Sequence, residues 1–250
     1  MSGHSKWKTQ KNKKAAADAV KGKAFTKATK EITVAAKDGG GDPDTNPRLR
    51  FALAKAREVN MPKDNIEKAI KKGTGELPGV VYETINYEIY GPGGVAIMVE
   101  ALTDNKNRAS AEIKNILTRK GGNMAGSGSV ARIFHKKGLI AIEKSKIDED
   151  KLMDIALNAG AEDMKTEDNV YEITTAPQDF EKVKKALDDN KIECQLAEVT
   201  SIPTMTVKVA GTPAKQVLSL VEALEDYEDV QNVYANFDIP DEIMEQAKQG

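Results

Sequence analysis

The sequence predicts an α+β protein whose N-terminal part is all-helical, and two observations carry this prediction. Apolar residues recur at helical spacing from Phe25 to Ala36, with glycine, proline and asparagine signals at the helix ends that follow. From about residue 82, apolar and β-branched runs of strand length alternate with further helices. We therefore expect three domains, an N-terminal helical bundle plus two α+β domains, the ferredoxin-like one inserted in the other.

Composition excludes several classes of protein. Apolar residues make up 40% of the 250 residues and charged residues 30%, so the chain can bury a core. Its longest apolar run, Val95 to Val99, is far shorter than the ~20 residues of a membrane span. Cys194 is the single cysteine, which excludes an internal disulfide and a cysteine-based zinc site. We expect a cytoplasmic protein with no membrane partner and no cofactor.

Charge is distributed very unevenly along the chain, although the net charge is only −2. Counting Lys and Arg against Asp and Glu, residues 1–80 carry +9, residues 81–144 carry +3 and residues 145–250 carry −14. Such an asymmetry predicts that the basic end binds a polyanion while the acidic end stays solvated.

The basic end begins with a polar tail that has no apolar stripe, residues 1–22, which predicts a flexible segment. An amphipathic helix follows from Lys23, with one apolar face and one lysine face, and Gly39 ends it. Asn46 and Pro47 cap and open a second helix, and Pro62 opens a third.

Strands and helices alternate in the rest of the chain. Two strands flank the loop Gly91–Gly94, a helix follows, and residues 134–202 have the order βαββαβ of a ferredoxin-like unit. The last strand of that unit is predicted at Ile192–Val199, with Cys194 as a small core residue. A strand, a helix and a strand remain after Pro203, and they lack partners unless they rejoin residues 80–133. The expected domains are therefore 1–79, a basic helical domain; 80–133 with 203–240, a discontinuous middle domain; 134–202, the inserted domain; and 241–250, a tail.

The basic end is the candidate nucleic-acid site, because ammonium and guanidinium groups neutralise phosphates and release counterions. Two rings, His4 and Trp7, are suited to stacking on exposed bases. A solvated basic tail with no fixed partner is the alternative, and an anionic membrane is disfavoured because bulky apolar residues are scarce there. The candidate residues are His4, Lys6, Trp7, Lys8, Lys11, Lys13, Lys14, Lys21, Lys23, Lys27, Lys30, Lys37, Arg48 and Arg50.

Catalytic patterns are missing from the sequence. The glycine-rich stretches Gly39–Gly41 and Gly121–Gly128 do not fit the phosphate-loop motif, and both follow helices. His4 and His135 are far apart and have no metal-ligand spacing. The acidic clusters, including residues 226–229, are typical of a solvated face. We expect no enzyme, no metal and no small-molecule substrate.

Several segments together resemble the YebC/PmpR family, and the resemblance extends from end to end. They are MSGHSKWK, KGKAFTKATKEITVAAKDGGGDP, NPRLR, NMPKDNIEKAIKKG, YEIYGPGGVAIMVEALTDNKNR and GGNMAGSGSVARIF. The resemblance implies the same three domains. It also implies function at positions 4–30 and in the loop Gly91, Pro92, Gly93 and Gly94.

Three functions stay open. The family's usual naming implies a DNA-binding transcriptional regulator. Its mitochondrial relatives and some bacterial members imply a translation factor that binds ribosomal or transfer RNA and acts on ribosomes stalled at proline-rich sequences. A protein adaptor acting through the acidic half is the third hypothesis, and it predicts that the terminal lysines matter little.

Overall fold

The protein mixes α-helices with mainly antiparallel sheets, which confirms the predicted α+β class. The structure is a computed structural model that describes Gly3, Lys6 and residues 18–167 and 169–246. The helices are α1 (Asp18–Gly39), α2 (Pro47–Glu58), α3 (Lys63–Gly73), α4 (Lys106–Lys120), α5 (Glu149–Ala159), α6 (Phe180–Asp189), α7 (Gly211–Asp226) and α8 (Asp241–Gln246). The strands are β1 (Glu83–Tyr90), β2 (Ala96–Thr103), β3 (Asn123–Met124), β4 (Phe134–Glu143), β5 (Ala161–Thr166), β6 (Val170–Thr175), β7 (Leu196–Pro203), β8 (Val207–Lys208), β9 (Val230–Ala235) and β10 (Phe237–Asp238).

Helices α1, α2 and α3 form a helical unit around a small apolar core. The predicted cap of α2 is confirmed, since the Asn46 side chain accepts a hydrogen bond from the Leu49 N–H at 3.0 Å. The Asn46 amide also donates to the carbonyls of Ala35 and Gly40. One buried asparagine therefore closes the end of α1 and starts α2. The described part of α1 begins at Asp18, so the helix is present at least five residues before the predicted start.

The close approach of α3 to α1 depends on Gly73. A Cβ atom at this position would lie 2.4 Å from the Thr33 carbonyl oxygen and 2.7 Å from the Ala36 Cβ. The Thr33 hydroxyl donates to the Ala69 carbonyl at 3.3 Å, at the same crossing. The two helices therefore pack backbone to backbone where α3 ends.

The first sheet has the strand order β3-β1-β2-β9, with all neighbouring strands antiparallel. Helices α4 and α7 cover one face, and their apolar side chains join those of β1, β2 and β9 in the largest core. Strand β9 comes about 130 residues after β2 in the chain and pairs with it from Ile97↔Ala235 to Ala101↔Val230. The segments before and after the second sheet thus meet in one sheet.

The second sheet has the order β5-β6-β4-β7, and α5 and α6 pack on one face of it. Strand β7 runs from Leu196 to Pro203, so the strand predicted at Ile192–Val199 is confirmed from Leu196 to Val199 and wrong for residues 192–195. Ile192 is buried, but its N–H bonds to the Leu187 carbonyl and it closes the end of α6. The apolar side chain of Ile192 indicates that the residue is buried. The sequence pattern does not distinguish a buried residue in a loop from a buried residue in a strand. Cys194 is half-buried against this core and precedes the strand. The division of the chain into three domains stays a proposal.

We predict that Gly73→Ala destabilises the protein, because the new methyl group overlaps α1. Overpacking of this kind costs about 1–3 kcal/mol. The control is Gly22→Ala in α1, where a Cβ meets nothing within 4 Å and should stabilise the helix by up to about 1 kcal/mol. Urea unfolding measures both variants, and equal stability of the two would contradict the proposed close packing.

Candidate nucleic-acid interface

The predicted basic residues fall into three groups in the structure. Residues His4, Trp7, Lys8, Lys11, Lys13 and Lys14 lie outside the described residues, as does the side chain of Lys21. Lys6 is half-buried, whereas Lys23 and Lys37 are exposed on α1. Lys27 and Lys30 are directed toward residues 225–229 of the same chain, and Lys23 lies near the same segment.

Lys30 is the clearest departure from the predicted lysine face. It is only 6% exposed, and its ammonium group lies 2.5 Å from the Asp229 carboxylate. It also donates to the Glu228 carbonyl at 3.1 Å and lies 5.7 Å from the centre of the Tyr82 ring. The prediction of Lys30 as an exposed phosphate ligand is therefore wrong, because its charge is buried and paired inside the protein.

Asp229 joins three parts of the fold at its carboxylate. Its Oδ1 accepts from Lys30 of α1, while its Oδ2 accepts from Thr103 at the end of β2 (2.9 Å) and from Tyr227 (2.9 Å). Arg108 of α4 donates to the same Oδ2 at 3.0 Å. With a fully buried carboxylate and four donors, Asp229 holds the helical unit against the first sheet.

The hydrogen bonds at this carboxylate keep it ionised. Burial alone would raise the pKa of Asp229, but the bonds from Lys30, Arg108, Thr103 and Tyr227 lower that pKa to about 2. Burial, followed by the bond to Asp229, raises the pKa of Tyr227 to about 12, so Tyr227 remains a neutral donor. The cluster is a buried ion pair whose polar atoms are well satisfied.

Residues 225–229, at the junction of α7 and β9, continue this contact along α1, and we call them the acidic connector. Lys27 donates to the Glu225 carbonyl at 2.6 Å, and the Lys23 ammonium lies 3.9 Å from the Asp226 carboxylate. Three lysines at helical spacing thus meet one short segment of the chain. The acidic connector occupies the lysine face that the sequence assigns to an external polyanion.

The arginines of α2 are only partly available to a ligand. Arg48 bonds to the carboxylates of Glu31 and Asp38, both at 2.8 Å, so its charge is largely balanced. Arg50 donates to the Pro43 carbonyl at 3.1 Å and has no carboxylate within 4 Å in the described part of the chain. Of these two residues, Arg50 retains more of its positive charge for an external partner.

The loop Gly91–Gly94 has a structural reason for its glycines. Gly93 and Gly94 have φ of 73° and 76°, in the left-handed region that favours glycine. A Cβ atom at Gly91 would meet Ile97 at 3.0 Å, and one at Gly93 would meet Val209 at 3.0 Å. The loop is a tight turn packed between β2 and the α7 region, and its functional role stays a prediction.

Two carboxylates with structural roles, Asp229 and Glu88, are not found by local sequence patterns. Asp229 lies in the cluster interpreted above as solvated, and that interpretation is wrong for Asp229. Glu88 accepts three backbone hydrogen bonds, from Gly128, Val130 and Ala131, at 2.6–2.8 Å. Burial opposes its ionisation, but these bonds lower the pKa of Glu88 and shape the glycine-rich loop. Apart from Tyr227, which is two residues from Asp229, the partners of these two carboxylates are 40 or more residues away, beyond the range of any local pattern.

Exposed positive charge remains on other parts of the helical unit. The exposed residues are Lys55 and Arg57 of α2 and Lys63, Lys68, Lys71 and Lys72 of α3. Across the described residues, no three His, Cys, Asp or Glu side chains are grouped to hold a metal ion. In the same part of the chain, no helix has the length and hydropathy of a membrane span.

This architecture defines a class: a mixed α/β protein in which a basic helical unit is fastened to two antiparallel sheets. Two family models match it, the TACO1/YebC protein N-terminal domain over residues 5–76 and the TACO1/YebC second and third domain over residues 82–237. The chain belongs to the TACO1/YebC family.

Relatives of similar length support this assignment. A probable transcriptional regulatory protein of Dictyoglomus turgidum is 58% identical over 246 residues, covering 98% of this chain and 99% of the relative. One of Natranaerobius thermophilus is 58% identical over 248 residues, with the same coverage. The crystal structure of the conserved hypothetical protein Aq1575 from Aquifex aeolicus has a TM-score of 0.79 at 44% identity, covering 91% of this chain and 94% of that one.

We predict that Asp229→Asn destabilises the protein by about 3–5 kcal/mol, because it leaves the Lys30 charge buried without a counter-charge. Asp226→Asn is the matched control, since this carboxylate is exposed and its pair is worth less than about 1 kcal/mol. Urea unfolding at pH 7 measures both. A loss no larger for Asp229 than for Asp226 would show that the buried pair does not hold the fold together.

The stabilising effect of Asp229 should disappear in acid. Its pKa lies below the usual 3.8, so its ionised form favours the folded state by roughly 2 kcal/mol above that pH. This contribution is lost as the pH falls from 3.8 toward 2. We expect the difference in unfolding free energy between the parent protein and Asp229→Asn to be constant from pH 5 to 7 and to shrink below pH 4. A difference that stays constant down to pH 2.5 would contradict the assignment.

Proposed function

We propose that this protein is a non-enzymatic, cytoplasmic regulator of gene expression that binds nucleic acid through its basic N-terminal region. The observation that carries the proposal is the concentration of charge, with +9 in residues 1–80 and −14 in residues 145–250. Phosphate groups are the ligand class that such a surface attracts, and the attraction needs no base-specific contact. The names of the relatives, probable transcriptional regulatory proteins, agree with a role in gene regulation.

DNA is the first candidate target, because those names refer to transcription. In this reading the tail lysines and the exposed basic residues of the helical unit neutralise phosphates along a duplex. Long Lys and Arg side chains dominate the exposed face of the helical unit, so binding would be governed by salt more than by sequence.

RNA on the ribosome is the second candidate, and one contact favours it. Phe51 of α2 packs on Phe180 of α6, with ring centres 6.1 Å apart, so the helical unit is fastened to the most acidic part of the chain. A long straight duplex on α2 would pass near that acidic surface and be repelled by it. A compact RNA site, recognised by shape and phosphates, allows the acidic part to lie outside the contact.

A gradient experiment separates the candidates. We predict that the protein in cell lysate co-sediments with ribosomes at low salt, and that ribonuclease abolishes this. Replacing Lys8, Lys11, Lys13 and Lys14 by Ala should move it to the top of the gradient, because up to four phosphate contacts are lost. The matched control replaces four exposed lysines of the acidic part, Lys151, Lys165, Lys182 and Lys185, and changes the net charge equally.

Each outcome of the gradient experiment decides between functions. Loss of sedimentation in the tail variant alone supports the RNA target. A protein that stays at the top of the gradient under all conditions, yet binds duplex DNA in a salt-dependent manner, supports the DNA target. If the parent protein neither co-sediments with ribosomes in a ribonuclease-sensitive manner nor binds duplex DNA, the protein-adaptor hypothesis replaces nucleic-acid binding.

A further inference from the structure

The acidic connector leaves open which face of the helical unit meets a phosphate backbone. Lys23 and Lys30 are paired with the carboxylates of Asp226 and Asp229, and Lys27 donates to the Glu225 carbonyl, so three lysines of the predicted lysine face already have partners within the chain. If the folded part of the helical unit contributes to nucleic-acid binding, a different basic face of the unit contacts the phosphates. The basic residues of α1, α2 and α3 differ in whether a carboxylate of the same chain balances their charge.

Helix α3 has a segregated basic surface. At about 100° per residue, Lys68, Lys71 and Lys72 fall within about 100° of arc. Ile66, Ala69 and Ile70 lie on the opposite side and pack in the core of the helical unit. The three ammonium groups therefore point away from the protein.

Lys37 of α1 is exposed, and its backbone lies next to α3. Its backbone N atom would lie 3.1 Å from a Cβ at Gly73, so it sits beside the end of α3. The aliphatic part of Lys72 packs against the chain at Gly79. A Cβ atom added at Gly79 would lie 3.1 Å from the Cβ of Lys72. We call Lys37, Lys68, Lys71 and Lys72 the α3 basic face.

The α3 basic face differs from the α1 lysine face in its lack of counter-charges. Among residues 18–167 and 169–246, none of its four lysines has a carboxylate oxygen within 4 Å, although all four are exposed. Two nearby carboxylates are otherwise engaged: Glu67 lies 3.8 Å from Lys63, and Glu76 accepts from the Thr74 hydroxyl at 2.9 Å. Asp64 lies on the same side of α3, one turn before Lys68, and no oxygen of its carboxylate lies within 4 Å of a lysine ammonium in the described part of the chain.

We infer that the α3 basic face is where the folded helical unit contacts the phosphodiester backbone of a nucleic acid. The inference rests on the proposed function and moves the contact away from the α1 lysine face. Exposed ammonium groups that have no carboxylate within 4 Å in the described part of the chain release counterions when they meet phosphates, whereas the paired lysines of α1 would first have to leave the acidic connector. Lys68, Lys71 and Lys72 are thereby added to the nucleic-acid contacts, and Lys30 is removed.

Salt-dependent binding tests the inference on the full chain. The variant is Lys68→Gln, Lys71→Gln and Lys72→Gln together, and the probes are a labelled random 30-base-pair duplex DNA and a 30-nucleotide single-stranded RNA. Fluorescence anisotropy between 50 and 300 mM salt gives the slope of log K against log salt. We expect the magnitude of the slope to fall by about 2 to 3, and affinity at 100 mM salt to fall roughly tenfold or more.

Matched variants separate this effect from a change in overall charge or in folding. Lys151→Gln, Lys182→Gln and Lys185→Gln remove the same charge from the acidic part and should leave the slope unchanged. Lys23→Gln with Lys27→Gln should also leave it unchanged, because both residues contact the acidic connector. Replacing Lys68, Lys71 and Lys72 by Arg keeps the charge and should keep the slope. Thermal melts confirm that each variant is folded.

The possible results distinguish the inference from the proposed function. An unchanged slope in the α3 variant, with normal binding by the parent, would falsify the inference and leave nucleic-acid binding through the tail standing. A slope that falls in the Lys23 and Lys27 variant instead would restore the α1 lysine face. No salt-dependent binding of either probe by the parent protein would overturn the proposed function itself. Loss confined to the duplex or to the RNA identifies which nucleic acid the face contacts.

Discussion

The buried ion pair between Lys30 and Asp229 is the interaction on which the arrangement of this protein depends. An ammonium and a carboxylate taken out of water are costly unless each is paired and its remaining polar atoms are satisfied. Thr103, Arg108 and Tyr227 meet that requirement for the carboxylate, and the Glu228 carbonyl helps to meet it for the ammonium. The pair joins residues 199 positions apart, so α1 can pack on the first sheet only in the orientation that keeps both charges paired.

This constraint changes what the uneven charge of the chain means. A strongly basic N-terminal region and acidic residues near the C-terminus suggest one surface for an external polyanion and one for solvent. In the fold, part of the basic surface contacts part of the acidic segment, because residues 225–229 lie along the lysines of α1. The positive charge left for a partner is therefore located on residues with no internal counter-charge. Counting charges by segment identifies the basic region of the chain. The pairing of those charges in the fold shows which of its basic residues keep an unbalanced charge.

Sequence patterns predict the local features well and miss the distant ones. Asn46 and Pro47 begin a helix as predicted, because capping involves residues three apart. Ile192 misleads, because a buried residue that closes α6 has the same apolar character as a strand residue. Lys30 lies on the side of α1 opposite Ile32 and Ala35, as the helical pattern predicts. Its burial depends on Asp229, and no sequence pattern links two residues so far apart. The basic character of the helical unit could thus be predicted from sequence, and the pairing that decides which of its lysines stay exposed could not.

Two anchors on different helices restrict how the helical unit can move. Lys30 on α1 is fastened to the first sheet, and Phe51 on α2 packs against Phe180 beside the second sheet. Rotation about either contact strains the other, so the acidic part of the chain keeps its position relative to the helical unit. Any nucleic acid bound by this protein must then accommodate a negatively charged body held close to the contact. Under the proposed function, that requirement favours sites whose phosphates are dense on the side of the helical unit and absent on the side of the second sheet, a condition that a folded RNA meets more readily than a straight duplex.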